Sequence, residues 1–460
     1  MINWFSIWWE RLRTALWPVP LGMLLLTVLL FEGAIRVDDA VSREWVMRTW
    51  WLRSGSGDDA RNLLSTLVSA IITMSSVVFS ITIVALSLAA NQFGSRLVRT
   101  YMADMRTKLA LGLFTMTIVY CLLALRLVEK DMPAAQIPHV TVTVGLVLGL
   151  TCVLVLLFFL HRVARSIVAD EVIRRVTGEL EESIAGLPPL PPQHRPEATD
   201  DALPGDFDTH AVILTARREG YIQAVEYDRL VALAARHGIV LRLDVRPGDF
   251  MCRDGWLGAA CPGGSVTPDV ADAIQALIRT GARRTPTQDL EFSLRHLVDI
   301  ALRALSPGIN DANTALVVVE HLRGALSRLL GKDIPGPVHR DASGAVRVVG
   351  KANSHAGILD AALNQIRQAA ANQPAVVIHL LGAIGRMAEH VRLPEQRAAL
   401  LHHARLIAAA GLRGPGESRD RHDIEEALAD AERKLEQAMR KRLRVVVRPG
   451  GEHPGAAGRR

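Results

Sequence analysis

A row of hydroxyl side chains is the feature of this sequence with the clearest chemical meaning. Within and just beyond the apolar stretch 63–90, polar residues recur at steps of three, four or seven positions. These residues are Ser69, Thr73, Ser76, Ser80, Ser87 and Asn91. A helix turns once in about 3.6 residues, so this spacing places them on one helix face, on which only Val84 is apolar. In hydrocarbon, such groups either line water, as in a pore, or hydrogen-bond across a tight interface between helices.

Amide and basic residues follow the hydroxyl row at its C-terminal end. Asn91, Gln92, Arg96 and Arg99 are predicted to form the mouth of such a pore. The arginines would concentrate anions there, and the uncharged wall beyond them would offer weak sites that an ion can enter and leave. The alternative role of the arginines is contact with anionic lipid headgroups and control of topology.

A second polar constellation surrounds the string Ser-Pro-Gly-Ile-Asn-Asp at residues 306–311. Residues 288–305 are predicted to form an amphipathic helix, the Pro-Gly pair forces a turn, and Asn310 or Asp311 is suited to cap the next helix. The string is therefore either a structural joint or a pocket for an anionic group or a divalent cation at a helix N-terminus. The candidate pocket residues are Arg284, Asp289, His296, Asp299, Asn310, Asp311 and Asn313. His296 and Asp299 share a helix face, but no third ligand follows by spacing, so no metal site is predicted.

Four apolar stretches must position the hydroxyl row. They cover residues 19–35, 63–90, 109–128 and 140–160, and no ionisable side chain lies far from their ends. Apolar runs of roughly 18 residues or more are transmembrane helix candidates. The sequence thus predicts a polytopic α-helical membrane domain over residues 1–161. Because the middle of each span lacks ionisable side chains, no acid–base chemistry is expected in the bilayer core.

The basic residues predict the orientation of these spans. Arginine and lysine are dense between spans two and three and after span four, whereas the loop between spans three and four has Lys130 alone. The positive-inside rule therefore places the N- and C-termini in the cytoplasm. The first loop disagrees, because it carries five arginines between residues 36 and 61.

The rest of the chain is predicted to be a cytoplasmic α/β plus all-helical soluble domain. A juxtamembrane helical stalk over 162–186 and a Pro-rich linker over 187–206 lead to it. A small α/β unit is expected over 207–267, with strands near 211–215, 221–225, 239–245 and 256–260. A mainly helical part over 268–440 contains a hairpin near 338–349, and the basic tail 441–460 is predicted to be disordered.

Several function classes are excluded by what the sequence lacks. It has no phosphate-binding GxxxxGK[ST] loop, no nucleophile motif, no HExxH or HxxxH grouping and no acid deep within a span. The net charge of +6 is attributed to topology and anionic lipid, because no nucleic-acid-binding motif is found. We therefore expect no enzyme activity and no cofactor. The expected partners are the bilayer, further copies of the chain and a small anion or ion.

Four segments of the sequence resemble a known family. They are Leu-Ala-Ala-Asn-Gln-Phe-Gly-Ser-Arg-Leu at 88–97, Tyr-Cys at 120–121, Arg-Thr-Pro-Thr-Gln-Asp at 284–289 and Leu-Ser-Pro-Gly-Ile-Asn-Asp-Ala-Asn-Thr-Ala at 305–315. The family is an uncharacterised group of bacterial predicted membrane proteins, domain of unknown function 2254, and the likeness covers roughly residues 4–410. It implies a four-span protein of the bacterial inner membrane with no established activity. Ala312 stands where the family pattern has Pro, and either residue suits the first turn of a helix.

Two functions fit these features. The leading expectation is an oligomeric channel gated through its cytoplasmic domain, since four helices enclose little space alone but copies around a symmetry axis can enclose a pore. The alternative is a non-conducting membrane sensor or scaffold whose cytoplasmic domain binds a protein or a small anionic ligand. In a channel the hydroxyl row would face an axis shared by subunits; in a scaffold it would be buried against spans one, three or four.

Overall fold

The computed structural model describes residues 15, 17–41, 55–93, 104–133, 136–166, 169–191, 202–414 and 417–446. The chain divides into two compact units, Met1–Val172 and Ile173–Arg460.

Four long helices make up the described part of the N-terminal unit. They are α1 (Pro18–Ala40), α2 (Gly57–Phe93), α3 (Met105–Leu127) and α4 (His139–Ser166). Each is long and apolar enough to cross a membrane. The prediction of four apolar helices is therefore confirmed, and every helix except α3 extends past both of its predicted ends.

The extra length of α2 comes from a polar first turn. The Ser56 hydroxyl accepts a hydrogen bond from the backbone N–H of Asp59 at 3.2 Å, and the Asp59 carboxylate accepts one from the Ser56 N–H at 2.9 Å. This reciprocal capping box starts the helix six residues before the apolar stretch. Residues 57–62 are consequently helical, although their polarity kept them out of the predicted apolar stretch.

Helix α3 lies at the centre of the bundle. More than half of its apolar window is buried (56%), against 11–28% for the other three helices. Tyr120 on α3 is fully buried; its ring meets the edge of Phe31 on α1, and its hydroxyl donates to the carbonyl of Thr141 on α4 at 3.1 Å. The bundle interior is therefore a packed, largely apolar core.

A carboxylate joins α1 to the start of α4. Asp38, in the last turn of α1, accepts hydrogen bonds from the backbone N–H groups of Val140 and Thr141 at 2.7 and 2.8 Å and from the Thr141 hydroxyl at 2.6 Å. The first N–H groups of a helix have no partner within that helix. Asp38 supplies that partner from a different helix.

The boundary between the two units lies within helix α5 (Ala169–Ala185), which falls within the predicted stalk. From Ile173 onward its apolar face is buried within the C-terminal unit: Ile173, Val176, Leu180 and Ile184 are each at most 2% exposed. The Lys332 ammonium donates to the carbonyls of Ala185 and Leu187 at 3.1 and 2.8 Å, and Glu181 pairs with Arg328. This segment is thus packed against the folded unit, and so is the start of the predicted linker.

Two small sheets follow the short helix α6 (Phe207–His210). The strands are β1 (Val212–Thr215), β2 (Gly220–Val225), β3 (Val240–Leu243), β4 (Phe250–Met251), β5 (Trp256–Cys261), β6 (Ile278–Gly281), β7 (Val338–Arg340) and β8 (Val346–Val349). One sheet has the order β1-β5-β3-β8-β7 and the other β4-β2-β6. All pairings are antiparallel except β3 with β8. The predicted hairpin is present, and its strand β8 joins the sheet of the α/β part.

Two helices complete the core of the α/β part. Helices α7 (Tyr227–His237) and α8 (Pro268–Ala276) contribute Leu230 and Ile274, both fully buried, to a core shared with strands of both sheets. Gly238 ends α7 with φ +65°, a left-handed conformation that favours glycine. The mixed helical and sheet region predicted after the spans is therefore confirmed.

The remaining helices pack on one another. They are α9 (Glu291–Ala304), α10 (Ala312–Leu329), α11 (His355–Ala369), α12 (Pro374–Met387), α13 (Pro394–Gly411) and α14 (Ser418–Val446). Helix α14 buries Ile424, Ala431 and Leu435. It also continues to Val446, so the predicted disordered tail is helical in its first six residues; residues 447–460 lie outside the described part.

Candidate functional site

The hydroxyl row lies on the outside of the four-helix bundle. Ser69, Thr73, Ser76, Ser80 and Ser87 are all exposed. The side chains that α2 buries among the described residues lie on its other side; they are Ala60, Leu64, Val68, Ile71, Val78, Thr82 and Ala85. Within the described part of this unit, the row is therefore not packed against α1, α3 or α4.

Three of these hydroxyl groups donate to the backbone of their own helix. Ser69 Oγ donates to the carbonyl of Ser65 at 3.0 Å, Thr73 Oγ1 to that of Ser69 at 3.0 Å and Ser76 Oγ to that of Ile72 at 3.1 Å. A hydroxyl has one proton to donate and two lone pairs. With the proton engaged on the helix, the outward side of these groups offers hydrogen-bond acceptors.

The structure extends this row toward the start of α2. Steps of four and three residues back from Ser69 lead to Ser65, Asn62 and Asp58; the first two are exposed and Asp58 is half-buried. Asn62 Nδ2 donates to the Asp58 carboxylate at 3.3 Å. Sequence reasoning missed Asn62 and Asp58 because the span was started at the first apolar residue, and it began the row at Ser69 although Ser65 lies inside the predicted span. The Ser-x-x-Asp pattern at residues 56–59 was the signal that would have moved the helix start.

The predicted mouth of the pore is described only in part. Asn91 and Gln92 belong to the last turns of α2, but their side chains lie outside the described residues, as do Arg96 and Arg99 entirely.

The candidate pocket in the C-terminal unit is divided between the two ends of α9. Arg284 and Asp289 precede this helix, whereas Asn310, Asp311 and Asn313 follow it. The helix has 14 residues, and at about 1.5 Å per residue it is about 21 Å long. Between the two groups, His296 is buried and Asp299 is exposed on α9. The seven residues therefore do not form one pocket.

The Asn310–Asp311 end is a helix joint. Asp311 caps α10 by accepting hydrogen bonds from the backbone N–H of Thr314 at 3.1 Å and from its hydroxyl at 2.6 Å. These bonds hold the pKa of the carboxyl below its ordinary value. Asn310 adopts a left-handed conformation, φ +48°, and accepts from Gln373 Nε2 at 3.3 Å. Both side chains thus have structural partners, while Asn313 is exposed beside them.

The Arg284–Asp289 end is an ion-pair cluster. Asp289, 3% exposed, pairs with Arg284 at 2.6 Å, and Glu291, 5% exposed, pairs with Arg246 and Arg295 at 2.7 Å each. Burial raises the pKa of the Asp289 carboxyl, and the Arg284 charge opposes this rise. Each of the three guanidinium groups is thus paired with one of the two buried carboxylates, and the pairs tie segments of the chain together.

A turn between β3 and β4 closes over this cluster. Gly248 has φ +98°, and a Cβ atom there would lie 2.6 Å from the Asp289 carboxylate and 2.7 Å from the Arg284 guanidinium. Arg246, in the same turn, also donates to Asn353, just ahead of α11. The cluster therefore joins the turn, the start of α9 and the start of α11. No group of three His, Cys, Asp or Glu side chains able to hold a metal ion occurs among the described residues.

Comparison with known proteins places the chain among uncharacterised membrane proteins. Residues 13–386 match the family described as predicted membrane protein (DUF2254). The chain is 32% identical over 403 residues to uncharacterized protein Mb1321c of Mycobacterium bovis and, equally, to uncharacterized protein Rv1290c of Mycobacterium tuberculosis. Each alignment covers 86% of this chain and 74% of the relative. No solved structure matches the chain. The resemblance noted in the sequence is therefore confirmed, and the chain belongs to the DUF2254 family of predicted membrane proteins.

Proposed function

We propose that this protein is an oligomeric membrane channel in which copies of α2 line a pore shared by subunits. The exposure of the hydroxyl row carries this proposal. Five hydroxyl residues on one face of an apolar helix lie outside the bundle, while the other side of the helix is buried in it. A second copy of the chain, related by symmetry, would bring the same row to a common axis.

The packed interior of the bundle supports a pore between copies rather than through one copy. Phe114, Tyr120 and Ile71 are each at most 1% exposed within the core. Close-packed apolar side chains leave no room for a hydrated ion. An exposed row of weakly polar groups, by contrast, gives an ion sites that it can both enter and leave.

Gating through the C-terminal unit follows from the chain's connectivity. Only residues 167 and 168 separate α4 from α5 along the chain, and from Ile173 onward the apolar face of α5 is buried in the C-terminal unit. A rearrangement of that unit would therefore act on the last span through α5. The cytoplasmic location of this unit, the position of the chain in the bacterial inner membrane and the absence of enzyme activity belong to the same proposal.

Cysteine accessibility and single-channel recording test the pore together. In a chain carrying Cys252→Ser, which removes the exposed native thiol, we expect a small water-soluble thiol reagent to modify Ser76→Cys and Ser80→Cys. It should spare Val78→Cys, because Val78 is fully buried. Purified protein in planar bilayers should conduct, and Ser80→Leu should abolish the current by dewetting a constriction. Phe79→Leu, one residue away and off the row, is the matched control.

A non-conducting sensor or scaffold is the second candidate, and one observation favours it. Because Ser69, Thr73 and Ser76 donate their hydroxyl protons to their own helix backbone, this part of the row can also face lipid without a further partner. That function predicts no current and equal inertness of all three cysteine variants. It also predicts that the C-terminal unit binds a protein or a small anionic ligand.

A further inference from the structure

We infer that the pore lined by α2 conducts cations in preference to anions; this inference rests on the channel proposed above and names its substrate class. The first argument is the direction of the hydroxyl hydrogen bonds. Ser69, Thr73 and Ser76 each donate their proton to a carbonyl four residues earlier, so oxygen lone pairs face outward. Hard cations take oxygen ligands, whereas anions need donors.

The second argument is the charge at the start of α2. Asp58 lies on the same helix face as the hydroxyl row, four residues before Asn62, and its carboxylate accepts from the Asn62 amide. Asp58 therefore lies where an ion would enter or leave the row. In a symmetric oligomer one carboxylate per subunit would form a ring, and rings of Asp or Glu favour cations in channels.

Among the described residues around the start of α2, the neighbouring charges do not cancel this carboxylate. Asp59 is engaged in the capping box with Ser56. Arg61 is directed away, donating to the carbonyl of Val128 at 3.1 Å in the segment after α3. The segment at 129–131 lies beside the start of α2, since a Cβ atom on Gly57 would be 2.7 Å from the Glu129 carbonyl. Its side chains Glu-Lys-Asp add a further negative charge.

The experiment is a reversal-potential measurement on the purified full chain in planar bilayers under a KCl gradient. We expect the zero-current potential of the wild type to have the sign of K⁺ selectivity. Asp58→Asn should lower the ratio of K⁺ to Cl⁻ permeability several-fold, and Asp58→Glu should retain it. Asp131→Asn removes an exposed carboxylate from the adjacent segment, off the helix face of the hydroxyl row, and should lower the ratio less than Asp58→Asn does.

The outcomes separate the two proposals. Absence of current from wild-type protein would overturn the channel and, with it, this inference. A current with Cl⁻ selectivity, or K⁺ selectivity that Asp58→Asn does not reduce, would leave the channel standing and overturn the role of Asp58. If Asp58→Asn fails to assemble, the Asp58→Glu variant tests the inference instead. Asp58→Glu keeps the carboxylate, so retained K⁺ selectivity would support the role of Asp58 and lost selectivity would contradict it.

Discussion

At the scale of single residues, Asp311 caps the N-terminus of α10, and its sequence context already indicates this role. It follows a Pro-Gly turn and precedes a run of helix-forming residues, and its carboxylate caps α10. Asx side chains at this position satisfy backbone N–H groups that the helix leaves without partners.

The cap at Asp311 can be measured. Asp311→Ala should lower the free energy of unfolding by about 1 kcal/mol, and Asp311→Asn should cost much less because Asn caps nearly as well. Asn313→Ala, at an exposed position two residues on, is the control. Thermal unfolding of the purified full chain gives the comparison. A screened anion or nucleotide that stabilised the wild type but not Asp311→Ala would show a ligand site where we assign a joint.

The ion-pair cluster shows the limit of reasoning from residue types. Arg284 and Asp289 are candidates for a ligand pocket by residue type, yet they bond each other at 2.6 Å. Gly248, which approaches both side chains closely, and Arg246, which pairs with the neighbouring Glu291, come from a different segment of the chain. No spacing rule brings residue 246 next to residue 291, so only the folded chain could identify the cluster.

At the scale of elements, the bundle of four long apolar helices depends on hydrogen bonds at the helix ends as well as on apolar packing. The carboxylate of Asp38 bonds two backbone N–H groups and one hydroxyl at the start of α4. Hydrogen bonds to a charged acceptor are stronger than those between neutral groups. This tie therefore fixes the end of α1 against α4.

Removing the tie between α1 and α4 should weaken the bundle. Asp38→Ala leaves two N–H groups without this acceptor, and we expect a loss of about 2 kcal/mol. Asp39→Ala, the adjacent and exposed carboxylate, should have little effect. Thermal denaturation in detergent, with hydrogen exchange at residues 139–142, measures both. Equal stability of the two variants would show that the Asp38 bonds contribute nothing net.

At the scale of the whole molecule, orientation in the membrane is the property on which the proposed gating depends. The basic segments between α2 and α3 and after α4 favour a cytoplasmic C-terminal unit, and the arginines of the first loop oppose it. An even number of spans puts both termini on the same side.

Reporter fusions decide the orientation. A reporter fused after Pro192 should be cytoplasmic, and one inserted near Pro133 should be periplasmic. A phosphatase that is active only outside the cytoplasm and a fluorescent protein that folds inside it provide opposite readouts at each position. A cytoplasmic signal at Pro133 would reverse the orientation and place the C-terminal unit outside.

Local sequence determined much of this protein. Apolar length predicted four spans, periodicity placed the hydroxyls on one face of α2, and the Pro-Gly-Ile-Asn-Asp string indicated a joint that Asp311 caps. The helix face and the cap each depend on residues within one or two turns of each other, so residue spacing alone predicts them.

Tertiary structure alone decided the rest. It placed the hydroxyl row outside the bundle, brought Arg246 to Glu291, and paired β8 with β3 across more than 100 residues of chain. Each outcome depends on which distant surfaces meet. Helical periodicity predicts which side chains share a face. It does not predict which face is buried, because burial depends on how the elements pack together.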